Sequence, residues 1–438
     1  MDATMPSPLS TPAAATPPAS SDQVINRPLL ERIEVLDILR GIALIGMFMV
    51  HFNNYEATPS GVEPGRIAAF VESFLGMFIE ERFWGIFGML FGVGFAVQLT
   101  RAEARGEPFV ARYLRRLAAL AVFGFIAEGV FGYNVLFGYA LWGVPLLLVR
   151  KWPVKALVVL LVLCAASRQI YLVGEVAAAS RRPDGLAQLN AAKEAEWATF
   201  SAARDSLRSA EQSSSWRTVI AARLKFMPTF HRQWSVFPNL SFVLFLLGLI
   251  GWKLGLFSRP ESHKRLIASL AVAGAAVWAM AMFAMPIGGP LPTDPPTESP
   301  VLETVVTIAR ASGFALIRSQ WLAVTYVGIV LLLVAHNRAW VQRLSYFGWA
   351  GKMALTNYLM QVVLLDVLFT PHGLGMKVPA LLVIPGAIAL FLAQVAMSRW
   401  WLSRFRHGPM EWIWRSATNW KVQPLRIESA ALAPQMAA

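Results

Sequence analysis

The sequence predicts an all-α protein, a polytopic integral membrane bundle of about ten transmembrane helices. Apolar residues make up 56% of the 438-residue chain, and charged residues only 15%, against about 25% in an ordinary soluble protein. The mean hydropathy is +0.51. In addition, apolar runs of roughly the length that crosses a bilayer alternate with loops rich in Lys and Arg. These three observations together favour one membrane domain over several soluble ones.

The elements begin with a tail, residues 1–30, that is rich in Pro, Ala, Ser and Thr and has no apolar period. Such a segment buries too little apolar surface to order itself, so we predict a disordered cytoplasmic tail. It has neither the basic start nor the apolar core of a signal peptide, so the first apolar run is expected to remain as a membrane span.

The spans follow from the need for roughly 20 apolar residues in each membrane-crossing helix. Residues 31–420 form the predicted transmembrane domain, and residues 421–438 a second disordered tail. The stretch 66–80 either extends the second span or lies along the membrane interface. The candidate spans are residues 36–56, 83–99, 116–133, 135–150, 154–173, 238–257, 265–285, 315–335, 353–370 and 379–402.

Basic residues set the predicted orientation, because Lys and Arg accumulate in cytoplasmic loops. They cluster after every second span and after the last one, at 101–116, 150–155, 253–265, 338–352 and 404–426. We therefore predict a multi-pass membrane protein with both termini in the cytoplasm. Segment 174–235 is the long external loop. Its middle, residues 186–224, is rich in Ala, Glu and Arg without Pro, which predicts one or two external helices.

The net charge of +13 has a simple membrane explanation. The basic residues suit topology and lipid headgroups, so the bilayer, and not nucleic acid, is the expected partner. The only cysteine, Cys164, rules out an internal disulfide. No His-Glu-x-x-His, phosphate-loop or Gly-x-Ser-x-Gly motif occurs, so we expect no metal site and no bound cofactor.

The first span carries the most informative polar residues. Arg40 and His51 are eleven positions apart, which places them on one helix face about 16 Å apart along the axis. Asp37 lies one turn before Arg40 and can pair with it, and Asn54 lies one turn after His51. Ionisable groups inside a span are expensive and usually face a cavity or a partner. The competing structural interpretation has Arg40 reaching the headgroups and His51 bonding a helix backbone.

Other polar groups in or near apolar runs are secondary candidates for substrate contact. Glu128 lies within an apolar run, so we expect it to have a partner. Asn134 follows it at the next turn, and Asn357 lies inside a later span. Glu411 and Arg415 either brace the cytoplasmic mouth or, as the preferred interpretation, pair with each other at i,i+4. Gly88 and Gly92 have the spacing of a small-residue helix contact.

Two C-terminal segments resemble the signature of the YeiB-like bacterial membrane proteins, a family of unknown function. Residues 351–361 read Gly-Lys-Met-Ala-Leu-Thr-Asn-Tyr-Leu-Met-Gln, and residues 408–415 read Gly-Pro-Met-Glu-Trp-Ile-Trp-Arg. Leu36-Asp37-x-x-Arg40-Gly41 resembles the family's first span, and Phe87-Gly88-x-Leu90-Phe91-Gly92 its second. The resemblance covers nearly the whole chain after residue 30, and it implies a location in the bacterial inner membrane.

The YeiB-like family is similar to the larger transmembrane acyltransferase superfamily, which moves acyl groups from a cytoplasmic donor to acceptors across the membrane. The first span of that superfamily carries an Arg, ten residues and a His, a pattern that Arg40 and His51 match. YeiB-like proteins often have Asn at the His position, so His51 strengthens the resemblance. Between spans three and four the family usually has a His and then Gly-Asp-Ile-Leu, whereas this chain has Glu128 and later Asn134. That departure implies a different substrate or a lost activity.

The resemblance implies transfer of an acyl group, such as acetyl from acyl-CoA as co-substrate, to a glycan, lipid or small-molecule acceptor. In this hypothesis Arg40 positions the donor, and His51 activates the acceptor or carries the acyl group. Asp37 orients Arg40. Two other classes stay open. A permease for a small solute would also line its path with polar groups, and a non-catalytic membrane protein would tolerate changes at Arg40 and His51.

Overall fold

The computed structural model describes residues 34–53, 65–132, 134–235, 240–284 and 320–427, and the regular elements within these ranges are helices. A π-helical turn, Leu75–Ile79, follows α2, and a 3-10 turn, Pro260–His263, precedes α11. The α-helices are α1 Glu34–Asn53, α2 Arg66–Phe74, α3 Arg82–Ala104, α4 Val110–Phe131, α5 Leu136–Gly143, α6 Leu146–Val149, α7 Val154–Ala179, α8 Gly185–Glu211, α9 Trp216–Ser235, α10 Leu240–Lys253, α11 Lys264–Ala284, α12 Gln320–His336, α13 Ala339–Arg343, α14 Ser345–Lys352, α15 Ala354–Phe369, α16 Ala380–Leu402 and α17 Pro409–Asn419.

Membrane-spanning helices are present, which confirms the prediction of an all-α membrane bundle. By length and composition, four helical stretches can cross a bilayer: Glu34–Asn53, Arg66–Ala104, Pro260–Met282 and Ala380–Leu402. Two bent helix pairs raise the number to six if each pair is one span, and the pair α14–α15 bends by 80°. Ten spans, the inner membrane and the cytoplasmic termini stay predictions.

The segment 135–150 differs from the continuous span that was predicted. It forms two short helices, α5 and α6, interrupted at Val144 and Pro145. Proline has no amide hydrogen to donate, and its ring crowds the carbonyl four residues earlier, so a long helix is disfavoured there. Helix α10 ends at Lys253, four residues before the end of the predicted span.

Helix α1 lies in the core and makes its closest contact with α14. A Cβ atom added to Gly41 would lie 1.9 Å from the Phe347 carbonyl oxygen, and one added to Gly351 would lie 1.8 Å from the Asp37 carbonyl oxygen. Only glycine permits backbones to approach so closely. This contact fixes the Asp37 end of α1 against the chain that leads into α15.

Helices α3 and α10 meet through a second glycine contact. A Cβ atom on Gly92 would lie 2.0 Å from the Phe245 carbonyl oxygen, and one on Gly248 would lie 1.9 Å from that of Met89. The prediction of a small-residue helix contact at Gly88 and Gly92 is therefore confirmed.

The predicted long external loop, residues 174–235, contains two helices, α8 and α9, which are joined by a short turn. Helix α9 packs against both α8 and α4, so it ties this segment to the bundle. Of the predicted tails, residues 1–30 and 428–438 lie outside the described residues. Residues 425–427 return to the end of α16, where the Arg406 amide donates to the Leu425 carbonyl over 2.9 Å.

Candidate functional site

The two candidate catalytic residues on α1 both contact protein neighbours. Arg40 Nη1 donates to Asp37 Oδ1 over 2.8 Å, with the Asp37 side chain buried and that of Arg40 30% exposed. The predicted pairing is therefore present. His51 lies near the other end of the helix, with its ring centroid 6.1 Å from that of Tyr358 on α15. The imidazole thus faces a neighbouring helix of the bundle.

Glu411 caps a helix at the end of the bundle where Arg40 lies. Its Oε1 accepts hydrogen bonds from the backbone amides of Leu355 and Thr356, at 2.7 Å and 3.1 Å, and its Oε2 accepts one from Thr356 Oγ1 at 2.6 Å. A carboxylate here satisfies the first amides of α15 and complements the helix dipole. Burial raises the pKa of the Glu411 carboxyl, and the hydrogen bonds from Thr356 and Leu355 oppose that rise. The sequence interpretation, a pair with Arg415, did not anticipate this cap.

Arg116 lies beside the capped helix end. Its guanidinium lies 3.8 Å from the centre of the Trp414 ring, and Trp414 Nε1 donates to the Arg116 carbonyl over 2.9 Å. Arg115 Nε donates to the Thr418 carbonyl over 2.9 Å, so α17 is held along α4. The charges of Arg415 and Arg40 both act on Arg116.

Glu128 has the partner that its position demanded. His231 Nε2 lies 2.9 Å and 3.0 Å from the two Glu128 carboxylate oxygens. The imidazole is 17% exposed and the carboxylate 7%. Helix α9 supplies the histidine, so the pair joins the inserted segment to α4.

A larger ionic network lies next to this pair. Arg223 Nη2 donates to Asp366 Oδ1 over 2.9 Å, while Asp366 Oδ2 is 3.1 Å from His372 Nε2. Arg223 also reaches Glu211 at 3.2 Å and the Val130 carbonyl. The side chains of Asp366 and His372 are fully buried, and that of Arg223 is 5% exposed.

Sequence reasoning missed Asp366 and His372. The signal for Asp366 was available, because this acid interrupts an apolar run as Glu128 does. The partner could not be read from the sequence, since Arg223 is 143 positions away.

The remaining candidates have local partners or lie outside the structure. Asn134 joins α4 to α5, because its Nδ2 donates to the Gly124 carbonyl at 3.1 Å and its Oδ1 accepts from the Leu136 amide at 3.0 Å. Asn357 Nδ2 donates to Ser398 Oγ at 2.9 Å and to the Ala350 carbonyl at 3.0 Å. Asn54 lies outside the described residues.

Asn357 belongs to a buried row of polar side chains between α15 and α16. Gln361 Nε2 donates to Gln394 Oε1 over 2.8 Å, and Gln394 Nε2 donates to the Asn357 carbonyl over 3.3 Å. Asn357, Gln361 and Ser398 are 0% exposed. Polar groups of this kind inside a helical bundle either tie helices together or line a path.

Apolar helices long enough to cross a bilayer, with ionisable groups buried between the helices, define the class: an integral membrane protein. The chain is 30% identical over 421 residues to the uncharacterized protein YxaH of Bacillus subtilis (strain 168). This alignment covers 90% of the chain and 96% of YxaH. It is 27% identical over 411 residues to an uncharacterized 39.9 kDa protein in the amylase 3' region of Bacillus acidopullulyticus, covering 92% and 98% of the two chains.

Two further matches place the family. Residues 251–421 match the family described as protein of unknown function (DUF418). Over 68 residues the chain is 44% identical to the uncharacterized protein YeiB of Escherichia coli (strain K12), which is 16% of this chain and 18% of that one. The protein belongs to this YeiB-like family, as its motifs predicted.

The N-terminal part of the chain has a different similarity. Residues 32–179 match the catalytic region of heparan-alpha-glucosaminide N-acetyltransferase. This stretch contains Arg40, His51, Arg116 and Glu128. No solved structure matches the chain.

Proposed function

We propose that the protein is a membrane-bound acyltransferase. It moves an acyl group, such as acetyl, from acyl-CoA on the cytoplasmic side to a glycan, lipid or small-molecule acceptor. The observation that carries the proposal is the placement of Arg40 and His51 on one helix within the acetyltransferase-like stretch. Arg40 is held by Asp37, and His51 faces Tyr358 inside the bundle.

The chemistry needs a base and a positioned thioester. The His51 imidazole accepts the proton from the acceptor hydroxyl or amine while that atom attacks the thioester carbonyl. The carbon–sulfur bond breaks, and the CoA thiolate takes up a proton. An alternative route has two steps, with the acyl group first carried on the imidazole. Arg40, fixed by the 2.8 Å bond to Asp37, presents a positive charge to the donor.

The test is transfer of labelled acyl groups from acyl-CoA by the purified protein. We expect His51→Ala to lower turnover by about 100-fold or more, the usual contribution of a general base. His336→Ala is the matched control, because His336 is an exposed histidine at the end of α12. Equal turnover in His51→Ala and the wild type, at equal expression and thermal stability, would remove His51 from the mechanism.

A second candidate function, a permease for a small solute, draws support from the buried polar row between α15 and α16. Asn357, Gln361 and Gln394 place amide groups inside the bundle, as the path of a transporter would require. Solute uptake by liposomes that contain only this protein, with no acyl turnover, would favour the permease. Loss of that uptake in Gln361→Leu would assign the path to this row.

A further inference from the structure

We propose that a groove beside helix α16 binds one anionic glycerophospholipid of the surrounding bilayer, such as phosphatidylglycerol. The groove has a volume of about 480 Å³ and lies between the start of α14 and the last turns of α16. The residues that line it include neither Arg40 nor His51. The proposal therefore does not depend on the acyl-transfer function.

One face of α16 forms a wall of the groove and changes character along its length. Leu392, Val395 and Ala396 line one end, and Arg399 and Ser403 line the other. Leu392 and Arg399 are seven positions apart, which places them on one helix face about 10 Å apart along the axis. The groove therefore joins an apolar end to a polar end, as an amphiphilic ligand requires.

The groove lies on a part of α16 that faces lipid, where a phospholipid changes from acyl chain to headgroup. Helix α16 is long and apolar enough to cross a bilayer, and only 28% of its apolar stretch is buried within the protein. Leu392 and Trp400 are exposed. The apolar run ends in basic and aromatic residues at 399–406, and such residues collect at the membrane interface. The Leu392 end therefore reaches the hydrocarbon, and the Arg399 end reaches the headgroups.

Two guanidinium groups give the polar end a positive charge. Arg399 lines the groove itself. Arg404 Nη1 donates to Ser403 Oγ over 3.3 Å, and its guanidinium lies 4.7 Å from the centre of the Trp400 ring. In the described part of the chain, neither arginine forms an ion pair with a carboxylate. A phosphate diester supplies the complementary charge, and the planar guanidinium fork matches two of its oxygens.

The other lining residues distinguish an anionic lipid from a zwitterionic one. Tyr346 on α14 and Ser403 supply hydroxyl groups that can donate to ester and glycerol oxygens. Among the lining residues that the structure describes none is acidic, so the ammonium of phosphatidylcholine would find no carboxylate there. The volume lies within the range of small-molecule sites, about 300–1,000 Å³, which suits a headgroup and the first part of an acyl chain.

The first experiment titrates the purified protein in neutral detergent with phosphatidylglycerol and follows the bound lipid by native mass spectrometry. We expect the wild type to bind phosphatidylglycerol more tightly than phosphatidylcholine. Arg399→Gln should weaken phosphatidylglycerol binding about tenfold, because it removes a charge-assisted contact. Arg265→Gln is the matched control, since Arg265 is an exposed arginine at the start of another membrane helix, α11, and does not line the groove. It should bind the lipid as the wild type does.

The second experiment fills the apolar end of the groove without changing its charge. Ala396 is exposed on α16, so we expect Ala396→Trp to fold and to weaken phosphatidylglycerol binding at least as much as Arg399→Gln does. Ala273→Trp is the matched control, at an exposed position on α11, and it should leave binding unchanged. Glycerol phosphate, which carries the phosphate but no acyl chain, should not displace the lipid at equal concentration.

The proposal is overturned if the wild type binds phosphatidylglycerol and phosphatidylcholine equally, or if Arg399→Gln binds as tightly as Arg265→Gln. Equal binding by Ala396→Trp and Ala273→Trp would also overturn it, as would displacement of the lipid by glycerol phosphate at equal concentration. Should Arg399→Gln fail to fold, Arg404→Gln replaces it in the same titration. Rising salt should weaken phosphatidylglycerol binding to the wild type, because screening acts on the exposed arginines.

Discussion

A single carboxylate, Glu411, joins two helices that are far apart in the sequence. Its oxygens accept from the amides of Leu355 and Thr356, 56 and 55 positions away, and from the Thr356 hydroxyl. The helix start would otherwise leave these buried amides without a partner. The family signature at residues 408–415 therefore contains a residue with a clear structural task.

We expect Glu411→Gln to lower the free energy of unfolding by about 1 kcal/mol, the usual value of a helix cap. The amide nitrogen of Gln cannot accept a hydrogen bond, so one of the three contacts is lost. Thermal unfolding of the purified protein measures the effect. Glu194→Gln, at an exposed position on α8, should change stability much less; equal losses in the two variants would contradict the capping role.

At the scale of elements, α9 is the helix that ties the inserted segment to the bundle. It supplies His231 to Glu128 on α4, and Arg223 to Asp366 on α15. A buried ion pair is a poor source of net stability, yet breaking it by removing one partner leaves an uncompensated charge. The attachment of α8 and α9 therefore depends on a few buried charges.

Arg223→Met should lower stability by about 3–5 kcal/mol, because Asp366 would stay buried without its arginine. Amide hydrogen exchange should also rise along α9. The matched control is Lys193→Met, which removes the exposed pair between Lys193 and Glu175, 3.0 Å apart; such pairs contribute about 0–1 kcal/mol. A loss no larger in Arg223→Met than in Lys193→Met would show that the network does not hold the segment.

Local features of this chain were predictable, and long-range ones were not. Helical periodicity placed Asp37 one turn from Arg40, and their bond follows from spacing alone. The spacing of Gly88 and Gly92 likewise predicted a close helix contact. By contrast, the Arg223–Asp366 pair and the stacking of Arg116 on Trp414 depend on which helices become neighbours, and one sequence does not encode that in any local pattern. Pro145 indicated a helix break within residues 135–150, but the high apolar content of that segment favoured one continuous span in the prediction.

For the whole molecule, the orientation in the membrane can be tested with the single native cysteine removed. In a Cys164→Ser background, Ser214→Cys marks the turn between α8 and α9, and Ser262→Cys marks the turn before α11. A membrane-impermeant maleimide added to intact cells should label the first variant only, because the basic loop around residue 262 is predicted to be cytoplasmic. Labelling of both should follow permeabilisation.

Labelling of the Ser262→Cys variant alone in intact cells would show that the protein has the reverse of the predicted membrane topology. The reversed topology would then place Arg40 outside the cell, away from the cytoplasmic acyl donor of the proposed function. Labelling of both variants in intact cells would show that the two turns lie on the external side together.

The backbone contact between Gly41 and Gly351 restricts how the protein can move. Two main chains that touch directly leave no room for sideways displacement, and any larger residue there would push the helices apart. Helix α1 and α14 should consequently travel as one body. The 80° bend between α14 and α15 follows directly after this fixed pair, so a change in the bundle that carries α1 would carry the start of α15 with it.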